Sequence, residues 1–348
     1  MRTFMRIGLQ SQRRGRGFSL VELLIGLVIS MMGLAAVSTM MMNFSKKRTS
    51  ITQTLGAQDN GVMALYRLER DIGQAGYALL PLQGCATIAN GASAAFAPYP
   101  VQVQDGGTGA SDVITVRGAN PASGIPGTEL DASSGTSMTS NQYNVRSSVG
   151  FSVNDIVAAT QTCTMTPINS VAATVLGYNY TTSTLPNSTT TGYLAYFGQP
   201  GEFMHRQYAV GPSALTVADY PAFVTNNLVD NIVFMKAQYG LAASITGSPA
   251  TVVRWVSGAT TLDGSNCLGT SVHPNCVVAV RVGVVARSVS AGPETIDQPS
   301  SFPVLPQILS GATEIGAAVT YSVTAANTTV RYRAYSTIIP LKNVIWGR

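Results

Sequence analysis

The chain has 348 residues, enough for one large or two ordinary domains, and 45% of them are hydrophobic, which excludes intrinsic disorder as the whole account. Only 11% are charged, so a surface made polar by hydroxyls and amides is expected, as suits an extracytoplasmic β-rich body. The net charge of +5 belongs to Arg2, Arg6, Arg13, Arg14 and Arg16; the rest balances at 16 basic and 16 acidic residues, which excludes a nucleic-acid footprint over the body.

Phe18 to Met42 is a 25-residue apolar stretch with one charge, Glu22, followed at once by Lys46, Lys47 and Arg48. At about 1.5 Å per residue it spans a hydrocarbon core of about 30 Å. A cleaved secretory signal with Ala35-Ala36-Val37 near the cut, or a plain anchor, would share that hydropathy. Glu22 argues against both, because an acid within an apolar helix costs roughly 2.5–3.5 kcal/mol when central and has no use in a helix that only anchors. An intramembrane acid implies a partner.

The residues around it read Arg16-Gly17-Phe18-Ser19-Leu20-Val21-Glu22-Leu23. This resembles the class III signal of type IV pilins and pseudopilins. The resemblance implies that prepilin peptidase removes residues 1–17 by cutting between Gly17 and Phe18, that Phe18 is then N-methylated, and that Glu22, fifth in the mature chain, is the assembly contact. The physical logic agrees: the new Phe18 ammonium and the Glu22 carboxylate of a neighbouring subunit neutralise one another in a low-dielectric helix bundle. Thr39 stands where major pilins often carry a helix-kinking proline, which points away from the major subunit and towards a minor one.

The helix is expected to continue out of the membrane, since no proline occurs before Pro81 and apolar residues recur at Leu55, Val62, Leu65, Leu68 and Ile72. Arg67, Glu69, Arg70 and Asp71 fall mostly off that stripe and read as a solvated side. Unbroken from Phe18 to Ile72 it would be about 80 Å long. Gly26, Gly33, Gly56 and Gly61 each cost about 1 kcal/mol relative to Ala, so bending or local melting is expected, and Gly73 and Gly76 are stop signals. The organisation is therefore a leader over 1–17, a helix over 18–76 divided into an apolar part (18–42) and an amphipathic part (43–76), and a β-rich body over 77–348.

In that body, strands are predicted at Asp112–Arg117, Asp155–Thr160, Val175–Tyr180, Tyr193–Phe197, Phe203–Val210, Val252–Val256, Val277–Ala286, Val319–Thr324 and Val330–Ile339. Asn227–Tyr239 reads as a short turn of helix leading into a strand, and Ala119–Tyr143 and Tyr180–Thr191 as long exposed loops.

Cys85, Cys163, Cys267 and Cys276 all lie on the part that would be exported, where an oxidising compartment favours disulfides. Four cysteines allow three connectivities. Closing the short loop between Cys267 and Cys276 is the economical pairing, and it leaves Cys85 with Cys163. A zinc site would need a CxxC pair that the sequence lacks.

No GxSxG elbow, Walker loop or HExxH occurs. His205 and His273 are the only histidines, and both read as structural or exposed. Asp263-Gly264-Ser265-Asn266 lacks the carboxylates of an EF-type calcium loop and reads as a turn. Arg331, Arg333 and Lys342, interleaved with Tyr332 and Tyr335, read as a strand with outward arginines rather than a DNA contact.

RLERDIGQAGY at Arg67–Tyr77, then Gly84-Cys85, LVDNIVFMKAQYG, the stretch around Arg281 to Arg287, and a terminal YRAYSTIIPLKN closing on Lys342-Asn343 are together similar to the PilW branch of minor pilins. The resemblance implies an α+β, type IV pilin-like fold, with the long N-terminal helix packed on a C-terminal β-rich domain, and a non-enzymatic subunit without cofactor or metal. Its implied partners are prepilin peptidase, other minor pilins, the major pilin, a tip adhesin and the inner membrane, but not nucleic acid. The implied location is the bacterial inner membrane with a periplasmic C-terminal domain, then the pilus fibre, in service of twitching motility. A minor pseudopilin of a type II secretion system shares the same leader and Glu22. A signal-anchored periplasmic enzyme or binding protein is the rival from another class, and it would have no need of Glu22.

Overall fold

The structure is a computed structural model that describes residues 19–90, 93–119, 124–179, 186–219, 224–247, 250–288, 298–323 and 329–347. The chain forms two compact units, Met1–Thr52 and Gln53–Arg348. Helix α1 (Leu20–Gln74) supplies nearly all the described structure of the first unit and the opening element of the second. A long N-terminal helix followed by a strand-rich domain is an α+β, pilin-like arrangement.

No break interrupts α1 at Gly26, Gly33, Gly56 or Gly61, where bending was expected. Glycine weakens a helix entropically but keeps its backbone donor, so the hydrogen-bond ladder can run through it. The helix stops where the stop signals lie: Ala75 N–H bonds the Ile72 carbonyl, and Gly76 turns left-handed at φ +84°.

Three sheets follow in the second unit. The first contains β1 (Ile88–Asn90), β2 (Ser93–Phe96), β5 (Gly127–Leu130), β6 (Gln142–Asn144), β7 (Ile156–Ala159), β8 (Thr164–Val171), β9 (Val175–Tyr178) and β10 (Gly192–Gly198), ordered β2-β1-β8-β7-β10-β5 with β9 on β8 and β6 on β9. The second is β13-β12-β11-β4-β3, from β3 (Val101–Gln104), β4 (Val113–Gly118), β11 (Met204–Val210), β12 (Ala214–Asp219) and β13 (Val224–Asp230). The third is β15-β14-β16-β21, from β14 (Ile232–Leu241), β15 (Arg254–Ser257), β16 (Val277–Arg287) and β21 (Tyr332–Pro340). Two hairpin pairs flank it: β17 (Ser301–Leu305) with β20 (Val319–Ser322), and β18 (Ile308–Ser310) with β19 (Thr313–Gly316). A short helix, α2 (Lys342–Trp346), ends the described chain.

The largest core joins α1 to the second and third sheets through Ala57, Ala64, Leu68 and Ile72 against residues such as Ile114, Tyr208, Met235 and Val282. Central strand β16 is buried from Val277 to Ala286, as its nearly continuous valine run requires when both faces are covered. The first sheet has its own core, in which Tyr143 and Tyr178 stack with ring centroids 4.3 Å apart.

The sequence expectations need four corrections. Asn227–Tyr239 contains no helical turn: β13 and β14 flank Asn231, whose φ of +61° makes the turn. Asparagine tolerates that conformation, so Asp230-Asn231 acts as a turn signal and the helical spacing of Leu228, Ile232 and Met235 is incidental. Ala119–Tyr143 is not one exposed loop, because it holds β5 and the start of β6, and Met138 and Tyr143 are fully buried. Of the second expected loop, residues 180–185 lie outside the described residues, and Ser188 bridges to Met138. The helix face turned to the body is a third difference: it comprises Gln53, Ala57, Gly61, Ala64, Leu68, Asp71 and Ile72, whereas Leu55 and Val62 are exposed. Small residues occupy the seam because the Tyr335 ring lies against Gly61 so closely that an added Cβ would sit 2.2 Å from it. The fourth is Asp71, placed on the solvated side by the periodicity but only 4% exposed.

Candidate functional site

The first unit presents an apolar helix surface. From Leu20 to Phe44 its large side chains are exposed, Leu20 at 80% and Met41 at 74%. Hydroxyls on it satisfy themselves locally: Ser30 Oγ donates to the Gly26 carbonyl at 2.7 Å and Thr39 Oγ1 to the Ala36 carbonyl at 2.8 Å. This back-bonding lets hydroxyls sit in a medium without water. Thr39 also keeps the backbone N–H that a proline at this position would remove.

Glu22 occupies the first turn of α1, where a carboxylate complements the positive end of the helix dipole. It makes no ion pair with any described residue. Glu22 is the one acid among the described residues of a surface of aliphatic and methionine side chains. Gly17 and Phe18 lie outside the described residues.

Residues 12–38 match the family model of the prokaryotic N-terminal methylation motif. The chain carries a prepilin signal. The match spans the Gly17-Phe18 junction, Glu22 and most of the apolar stretch from Phe18 to Met42. With the exposed helix it supports membrane anchoring, processing by prepilin peptidase, and assembly with other pilin-type subunits. No curated protein and no solved structure matches the chain.

In the second unit, α1 is tied to the body by polar contacts as well as by its small-residue seam. Asp71 accepts from Arg206 Nη1 at 2.8 Å, from Arg70 Nε at 3.1 Å and from the Tyr208 hydroxyl. Burial raises the Asp71 carboxyl, but the bonds from Tyr208 and Arg206 outweigh it and hold the group below the usual carboxylate range. Arg206 also donates to Asp219 at 2.7 Å, so one guanidinium links α1 with β11 and β12. At the helix end, Asn343 Nδ2 donates to the Gln74 and Ala75 carbonyls at 3.0 and 3.1 Å, satisfying acceptors that the helix leaves open. That gives Asn343 of the terminal Lys342-Asn343 pair a physical role as the cap of α1.

Disulfides join Cys85 to Cys163 and Cys267 to Cys276, the pairing that local loop closure favours. The first fastens the segment just after α1 to the turn between β7 and β8. Among the described residues no group of His, Cys, Asp or Glu is arranged to hold a metal ion. His273 Nδ1 accepts from the Asn275 backbone N–H at 3.1 Å and so caps the turn before β16. His205 Nε2 accepts from Arg117 Nε at 3.2 Å; burial, then the charge of Arg117, lowers its pKa to about 3.

Three buried charges escaped the sequence reading. Lys236 donates to Asp105 at 2.7 Å and to Asp112 at 2.6 Å, locking β14 against the end of β3 and the start of β4. Arg281, 2% exposed, is held by Gln238, by the Pro306 carbonyl at 2.8 Å and by the Ala317 carbonyl at 2.6 Å, with Trp255 beneath it. Arg117 is the third. Positive residues in apolar runs are the only sequence signal for any of them, and their partners lie far along the chain.

Proposed function

We propose that this chain is a minor pilin of the PilW type, a non-enzymatic subunit that joins other minor pilins to prime polymerisation of the major pilin at the pilus tip. In this reading prepilin peptidase cuts between Gly17 and Phe18, Phe18 is N-methylated, and Glu22 meets the Phe18 ammonium of a neighbouring subunit. The observation that carries it is an acid with no ion pair among the described residues, on an exposed apolar helix within a segment matching the methylation motif. Burying that carboxylate in a bundle is favourable only when an opposite charge meets it, so each subunit requires the next. The body then offers lateral contacts to other minor pilins, to the major pilin and to a tip adhesin, and it lies in the periplasm until the subunit enters the fibre.

The test is Glu22→Ala in a strain whose piliation depends on this chain. The variant should insert and be cleaved as the parent is, yet leave few pili on the surface and little of itself in sheared pili. Normal piliation would contradict the reading. Co-purification with secretion pseudopilins in place of pilus subunits would move the chain to a type II secretion system with the same processing and the same role for Glu22.

A further inference from the structure

The second sheet carries a buried cation without an anion. Arg117 of β4, opposite His205 of β11, is 6% exposed. Its Nε donates to His205 and its Nη2 to Gln102 Oε1 at 3.1 Å, and the Phe96 ring lies 5.8 Å from its Cζ. Its Nη1 has no hydrogen-bond partner, and no carboxylate forms an ion pair with it among the described residues. Burial lowers its pKa only to about 10, so it stays charged at neutral pH. Elsewhere the body treats buried cations differently: Lys236 holds two carboxylates, and Arg281 is bonded to an amide and two carbonyls. An unpaired buried charge is costly enough that a fold retaining one usually meets it with a ligand or pairs it.

Arg117 lines a cavity of ≈ 610 Å³ between β3, β4 and β11 and the loop 258–263. That size falls in the range of about 300–1,000 Å³ found for small-molecule sites. Register places Gln102, Thr115 and Gln207 side by side across β3, β4 and β11, and all three line the cavity beside Tyr99 and Asp263. One cation suits a monoanion. Asp263 and Asp105 on the wall oppose a doubly charged phosphate, yet they are good acceptors for hydroxyls. The amides and hydroxyls of the row offer both donors and acceptors, and Tyr99 offers a ring face.

We propose that this cavity binds an acidic sugar of the uronate class, its carboxylate on Arg117 and its hydroxyls on the Gln102–Thr115–Gln207 row and Asp263. A bound carboxylate would displace the Gln102 side chain, which is exposed and can yield, and accept hydrogen bonds from Nη2 and from the buried, partnerless Nη1.

The experiment is titration calorimetry of the full chain in detergent micelles with D-glucuronate, D-glucose and glutarate. Saturable glucuronate binding is expected, at least tenfold tighter than that of either comparison compound. It should weaken at least tenfold in Arg117→Gln and measurably in Gln207→Ala, whose exposed position leaves the fold intact if the buried substitution does not. No saturable glucuronate binding, or equal binding of glucose, overturns the site. Glutarate binding as tightly as glucuronate overturns the sugar assignment, and an undiminished response in both variants places any binding elsewhere and overturns the proposal.

Discussion

His205 has a pKa of about 3 in the folded protein against 6.5 for an ordinary histidine, because burial and the charge of Arg117 both oppose its protonation. Between those values the unfolded chain binds a proton that the folded chain does not, so stability is complete above pH 6.5 and falls as pH drops. At pH 5 the loss from this group approaches about 2 kcal/mol. Asp71 and Asp105 are held below the usual carboxylate range, in each case by hydrogen bonds that outweigh burial, so both stay ionised between pH 7 and pH 5. His205→Gln keeps an acceptor for Arg117 without the titration. Its denaturant midpoint should therefore change less between pH 7 and pH 5 than that of the parent, and an equal change in the two proteins would remove His205 as the cause.

The helix seam sets the terms for single glycines in α1. Gly61 lies under the Tyr335 ring, whereas nothing approaches a Cβ built at Gly73. Both lie within the helix, where alanine is favoured over glycine by about 1 kcal/mol. Gly73→Ala should raise the melting temperature, and Gly61→Ala should lower it, because overlap with an aromatic ring costs roughly 1–3 kcal/mol. Thermal denaturation of the two variants checks the pair, and a gain in both would mean that Tyr335 is not held at the seam. The same comparison explains what periodicity conveyed. It marked an amphipathic helix over the right residues, since apolar spacing is a local property. The face that packs was hidden, because Ala57, Gly61 and Ala64 are chosen by the approach of a strand more than 270 residues away, while Leu55 and Val62 stay exposed.

For the molecule as a whole, two disulfides close loops of very different length, with sequence separations of 78 and 9 residues. By loop entropy, removing Cys85–Cys163 costs about 4.5 kcal/mol and removing Cys267–Cys276 about 2.5 kcal/mol. Double serine variants should show that order in denaturant midpoints, and the reverse order would contradict it. The pairing was legible because one of the two loops is short. The strands missed around β5, β6 and β8 were not, since their burial depends on Tyr143 and Tyr178 meeting across the first sheet. Charged pairs were equally opaque: Arg117 meets His205 across 88 residues and Lys236 meets Asp112 across 124. By contrast, the prepilin signal is a contiguous motif and needs no tertiary partner to be read. Its central claim is chemical, namely that the chain is cut after Gly17 and methylated on Phe18 before it assembles. Mass spectrometry of the N-terminal peptide, from membranes and from sheared surface pili, tests that claim most directly. An N-methylated Phe18 in the pilus fraction is the predicted result; an uncut leader or a mature end near Val37 would contradict it.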